Sequence, residues 1–213
     1  MKALYRVVNA LLAATIFPVA LFLEFVIIRL STTFVEAGLE ESYSLKQIIG
    51  FFLGTDRLFG FKYENIKSSG PVEFPTALDP VKGQLIAVVV AFAIAIIAAV
   101  FILIWSICSN KRLPVVISSA VGIISVIVMN ACFNSAAAPL LDGTINPVQI
   151  FSSGWLASLL GNVVLVDTLR FAGFQNGIII VFVLMLIWTA AYYLVEIGEQ
   201  PQEEKIKKAK SKK

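Results

Sequence analysis

Histidine is absent from this chain, and charge and cysteine are scarce. Without an imidazole there is no histidine general base, no Ser-His-Asp triad and little basis for a transition-metal site. The two cysteines cannot build a disulfide framework. Charged residues make up 15%, against about 25% in soluble domains, so a soluble globular domain is excluded. A hydrophobic content of 58% excludes disorder as well. No phosphate-cradling glycine loop, metal-ligand spacing or nucleophile elbow is found. The expectation is a non-enzymatic protein with no catalytic residue, no metal and no cofactor.

What the chain does have is long apolar runs. A helix needs about 20 mainly apolar residues to cross the hydrocarbon core. Four stretches of the 213 residues reach that length: 7–30, 84–108, 113–133 and 176–195. Ala91 to Ala99 is too long and too uniformly apolar for the alternating strands of a membrane barrel. The fold class expected is therefore an all-α integral membrane protein of four spans. The apolar stretch of the first span is too long for a cleaved signal peptide, and no Ala-x-Ala-like site follows it.

Cationic residues set the direction. Lys2 and Arg6 precede the first span, Lys111 and Arg112 form the turn between the second and third, and lysines crowd the tail. The loop over 31–83 carries seven acidic side chains against five basic ones, a net charge of −2. Both termini are therefore expected in the cytoplasm, with the loops over 31–83 and 134–175 outside. Trp105, Trp188, Tyr192 and Tyr193 then fall at the cytoplasmic interface. The uncharged stretch 143–166 contains Gln149, Ser152, Ser153, Ser158 and Asn162, too polar for a fifth span. An interfacial or re-entrant helix over 147–166, opened by Asn146 and Pro147, is expected instead.

In the first loop, Ser44 and Gln47 form a capping box ahead of Leu45, Ile48, Ile49 and Phe52 at helical spacing, with Gly54 as a stop. This predicts a short amphipathic helix. The basic tail over 196–213, whose lysine-rich part from Glu203 follows Pro201, is expected to be disordered. Its Lys205, Lys207, Lys208, Lys210, Lys212 and Lys213 suit contact with anionic lipid. The tail has no arginine or aromatic residue to favour nucleic acid.

Few residues suggest chemistry. Glu24 is the sole carboxylate in a candidate span, near its outer end, with Arg29 beyond it. Asn130 and Asn134 lie one turn apart at the outer end of the third span, and Asp167 and Arg170 precede the fourth. Together these five form a candidate polar or transport cluster, although such groups more often glue helices together. Ala91, Ala95 and Ala99, and Ser118 with Gly122, form small-residue stripes suited to close helix packing. Cys108 and Cys132 sit at opposite ends of neighbouring antiparallel spans, too far apart for a disulfide.

Four spans with cytoplasmic ends and a larger first outer loop is an outline that resembles claudin-type and other tetraspan families. The claudin loop pattern of Trp, Gly-Leu-Trp and two cysteines is missing, since the first loop has neither Trp nor Cys. The tetraspanin Cys-Cys-Gly is missing too, so no site is carried over. The function expected is a scaffold, assembly or regulatory subunit of a membrane complex, with membrane proteins or further copies as partners. The alternative is a small oligomeric transporter or channel using Glu24 and the polar cluster. The bacterial cytoplasmic membrane is the expected location.

Overall fold

The computed structural model describes residues 2–32, 35–57, 76–146 and 164–210. Its elements in chain order are α1 (Lys2–Phe22), β1 (Glu24–Thr32), β2 (Val35–Ser44), α2 (Leu45–Phe52), a 3-10 turn (Thr76–Val81), α3 (Lys82–Cys108), α4 (Leu113–Leu141), β3 (Val164–Phe171) and α5 (Gly173–Lys210). Four helices, α1, α3, α4 and the first part of α5, are long and apolar enough to cross a membrane. This is a membrane protein by composition and helix length, built as a helical bundle with a small sheet at one end.

The bundle forms because each helix has one stripe that packs and a remainder that suits lipid. On α1 the stripe is Tyr5, Asn9, Ala13, Ile16 and Ala20, at steps of three and four residues. On α3 it is Val88, Ala91, Ala95, Ala98, Ala99, Ile102 and Ser106. On α4 it is Val115, Ser119, Gly122, Ser125, Val126 and Met129. The other faces leave large apolar side chains exposed, among them Val89, Ile97, Ile104, Ile124, Ile127, Ile180 and Ile187, as expected where the solvent is hydrocarbon. α1 packs on α3 and α5, and α4 also packs on α3 and α5, closing the four into a ring.

Close approach depends on small residues. At Gly122 a Cβ would lie inside the Phe182 ring of α5, and at Gly177 it would come within 2.8 Å of Val19 Cγ1 on α1. Beside Gly122, the fully buried Ser119 hydroxyl donates to Met185 Sδ at 3.9 Å. The packed stripe of α4 therefore runs through Ser119, whereas Ser118 is half-buried. Ala91, Ala95 and Ala99 all lie on the buried face of α3.

The all-α expectation needs correction. α1 ends at Phe22, not near Leu30, and Glu24–Thr32 turns back as a strand. β1 lies at the centre of a three-stranded antiparallel sheet, order β2-β1-β3. Val26 pairs with Tyr43 on one side and with Phe171 on the other. Phe25, Val26, Ile27 and Ile28 satisfy a helix on apolarity alone. The β-branched Val26, Ile27 and Ile28, the aromatic Phe25 and the available hydrogen bonds of β2 and β3 favour the strand. The expected helix over 147–166 lies mostly on 147–163, outside the described residues, and 164–166 begin β3.

Five phenylalanines join the sheet to the bundle. Phe25 of β1 stacks on Phe174 of α5 at 4.3 Å between ring centroids, and Phe171 of β3 stacks on Phe133 of α4 at 3.9 Å. Phe92 of α3 meets Phe25 and Phe174 edge-on. The backbone adds a bond from Ala172 N–H to Phe25 C=O at 3.0 Å.

α2 is where the capping box places it. The Gln47 N–H donates to Ser44 Oγ, and the Ser44 N–H donates to Gln47 Oε1 at 2.8 Å. Gly54 ends the segment with φ at +77°, a conformation that glycine adopts at little cost. Phe51 is buried, while Ile49 and Leu53 stay exposed. α4 reaches Leu141, beyond the expected end of its span. α5 continues as helix to Lys210, where a disordered tail was the expectation. Glu203 and Glu204 stand four residues before Lys207 and Lys208, a spacing that supports helix.

Candidate functional site

Polar side chains gather at both ends of the bundle. At the end that carries the sheet, a cavity of about 400 Å³ opens between α4, β3 and the start of α5. Its lining is Ile27, Asn130, Asn134, Arg170, Phe171, Ala172, Gly173, Gln175 and Asn176. α4 supplies Asn130 and Asn134 one turn apart, because its helix continues past both. β3 supplies Arg170, opposite Ile27 of β1, and the first turn of α5 supplies Gln175 and Asn176. The Oε1 of Gln175 is buried and has no hydrogen-bond donor among the described residues.

The expected five-residue cluster is therefore divided. Asn130, Asn134 and Arg170 come together. Asp167 instead accepts from Ser31 Oγ at 2.7 Å and lies 3.8 Å from Arg29 Nε, tying β3 to β1 across the sheet. Glu24 opens β1, outside the helix, and accepts from Ser42 Oγ at 2.9 Å. Each carboxylate is thus engaged locally within the sheet. The cavity has one cation and four primary amides, a set suited to holding an oxyanion rather than to transferring a proton. Gln175 and Asn176 were legible only as a polar pair at the start of an apolar run.

At the opposite end a second set went unread in the sequence. Asn9 is wholly buried on α1; its Nδ2 donates to Tyr5 C=O at 3.1 Å, and its Oδ1 has no partner among the described residues. Tyr5 stacks on Tyr192 at 4.5 Å, and their helices are joined again where the Tyr5 and Thr189 hydroxyls meet at 3.5 Å. Arg6 Nε donates to Ser106 C=O at 3.0 Å, linking α1 to α3. Arg112 lies 5.0 Å from the rings of both Tyr192 and Tyr193 and forms an ion pair with Glu196. Three of the residues read as interfacial anchors serve the interior or a contact: Tyr192 is buried, Trp188 Nε1 is buried without a partner among the described residues, and Trp105 Nε1 donates to Lys111 C=O. Chain-distant pairs such as Arg112 with Glu196 have no local spacing to reveal them.

No protein-family model, curated protein or solved structure matches this chain. The site is therefore read from its own chemistry. Among the described residues no group of three or more Cys, Asp or Glu side chains could hold a metal. Cys108 is exposed, Cys132 is half-buried, and both are free thiols. The tail lysines up to Lys210 follow on the α5 helix, while Lys212 and Lys213 lie outside the described residues.

Proposed function

We propose that this chain is a non-enzymatic multi-pass membrane protein that acts as a scaffold, assembly or regulatory subunit of a membrane complex. In this reading both termini are cytoplasmic, the sheet lies outside, and the membrane is the bacterial cytoplasmic one. The observation that supports it best is the sheet. Two loops separated by more than a hundred residues supply β1, β2 and β3, and the phenylalanine cluster holds them on the bundle. A transient loop needs no such fixing; a surface presented to a partner benefits from it, because ordering costs are met before binding. The ledge is polar, with Arg29, Glu40, Ser42 and Asp167 at its exposed or half-exposed positions.

Crosslinking in intact cells, followed by isolation in mild detergent, tests the proposal. The chain is expected to emerge with other membrane proteins or further copies of itself. Charge reversal at Glu40 should weaken that association and leave the bundle folded. A chain that is always monomeric and without crosslinked neighbours overturns the proposal.

The second reading, a small oligomeric transporter or channel, draws on the cavity that unites Asn130, Asn134 and Arg170. The local partners of Glu24 and Asp167 weigh against it. Flux into liposomes that disappears in Glu24→Gln or Asp167→Asn would favour transport over scaffolding.

A further inference from the structure

We propose that α2 lies in the headgroup–acyl boundary of the bilayer as an interfacial foot, with Ile49 and Leu53 among the acyl chains and Lys46 at the level of the lipid phosphates. Depth comes first. α1 has 21 residues, a rise of about 32 Å at about 1.5 Å each, which matches a hydrocarbon core of about 30 Å. Phe22, its last residue, therefore stands at the edge of the hydrocarbon. Leu4, Val7, Leu11, Pro18 and Phe22 recur on one exposed face of α1. Phe22 thus ends the apolar stripe that α1 leaves to lipid. The Lys46 ammonium of α2 lies 5.5 Å from the centre of that ring, so α2 begins where the stripe stops.

The face that α2 turns outward continues the stripe. Lys46, Ile49 and Leu53 follow one another at steps of three and four residues, share one side of the helix, and are all exposed. Phe51 lies on the opposite side and is buried. α2 carries no acidic side chain. A second copy presenting this face would set lysine against lysine, whereas a phospholipid surface offers phosphate to the cation and acyl chains to Ile49 and Leu53. Lysine suits the position because its stem runs along apolar surface while its ammonium reaches the headgroups.

The ends of α2 are closed as such a site demands. Where acyl chains replace water, backbone groups at a helix end must be satisfied within the chain. The capping box does this at the N-terminus. At the other end Leu53 N–H donates to Ile49 C=O and Gly54 N–H to Phe51 C=O. Gly50 C=O accepts from Thr55 N–H at 2.8 Å, from Asp56 N–H at 3.1 Å and from Thr55 Oγ1 at 3.0 Å. β2 passes into α2 without a linker, so an anchored α2 fixes the sheet at the membrane surface.

The test uses the full chain in nanodiscs of phosphatidylcholine and phosphatidylglycerol. Cys108 and Cys132 are replaced by alanine, and a nitroxide is carried in turn at Ile49→Cys, Leu53→Cys and Glu40→Cys. Collision with a water-soluble nickel chelate at the first two sites is expected about tenfold below that at Glu40→Cys, because polar solutes are excluded from hydrocarbon. Collision with oxygen should rise there. Nickel access equal to that at Glu40→Cys overturns the proposal by placing this face in water. Shielding from nickel and oxygen alike overturns it in favour of a protein contact. Lys46→Glu, which turns attraction to phosphate into repulsion, should raise nickel access at Leu53→Cys by about fivefold; no change overturns the placing of Lys46 at the phosphates. On the unmodified chain, the methyl NMR signals of Ile49 and Leu53 should broaden with lipid that carries a nitroxide near the carbonyl end of its acyl chain, and stay sharp with a water-soluble gadolinium chelate. The reverse pattern overturns the proposal even if a variant folds poorly. Both faces of a nanodisc are open to reagents, so these results do not depend on sidedness, and the scaffold reading is decided separately by crosslinked partners.

Discussion

Gly122 is where the bundle is tightest. Its missing Cβ makes room for the Phe182 ring, so Gly122→Leu forces α4 away from α5. A loss of about 1–3 kcal/mol is expected for overpacking of this kind, read as a lower midpoint of thermal unfolding in detergent. Ser44 acts on a smaller scale. Its hydroxyl accepts from the Gln47 N–H, and Ser44→Ala removes that cap, at a cost of about 1 kcal/mol. Faster hydrogen exchange confined to Leu45–Phe52 would show it. Asp142, at the end of α4, carries a pH signature. Hydrogen bonds from Thr144, side chain first and backbone N–H second, hold its carboxyl below the usual aspartate value. A depressed folded-state value means that the turn is favoured above the usual aspartate range. That contribution disappears as pH falls through the lowered value, which an NMR titration of Asp142 follows directly.

At the scale of elements, the sheet is the feature that most constrains the loops. Ile28 lies opposite Leu169 in the β1–β3 register, and paired antiparallel residues stand about 4.5–5.5 Å apart between Cα atoms, within disulfide range. With Cys108 and Cys132 replaced by alanine, Ile28→Cys with Leu169→Cys should therefore crosslink under mild oxidation. Ile28→Cys with Asp142→Cys should not. Failure of the first pair would sink the strand order. Phe171 is the hinge of the attachment, touching Phe25, Phe133 and Phe174 at once. Phe171→Ala should cost about 3–5 kcal/mol, the range for a buried phenylalanine, and should expose the sheet to proteolysis before the helices unfold.

For the whole molecule, the spans were the most legible part. Length and apolarity select α1, α3, α4 and α5. The sidedness argument predicts that a tag at Lys213 is sealed from an impermeant reagent on intact cells and reached only after lysis. Cysteine placed at Glu40 should be labelled on intact cells. The cavity was partly legible. Asn130, Asn134 and Arg170 stood out because each interrupts an apolar context. Gln175 and the division of Glu24 and Asp167 into the sheet did not, since those roles depend on tertiary partners: Ser31 lies 136 residues from Asp167, and Ser42 meets Glu24 only once β1 and β2 pair.

Composition and periodicity by themselves determined that four stretches are helices long and apolar enough to cross a membrane, because a helix satisfies its own backbone hydrogen bonds in hydrocarbon. The capping box alone was enough to place α2, since every contact in it is local. Only tertiary structure decided that 24–32 is strand rather than more helix. The residues there suit either state, and the hydrogen bonds that choose between them come from β2 and, across most of the chain, from β3. The same contact between distant segments creates the cavity, which exists only where β3, α4 and α5 meet.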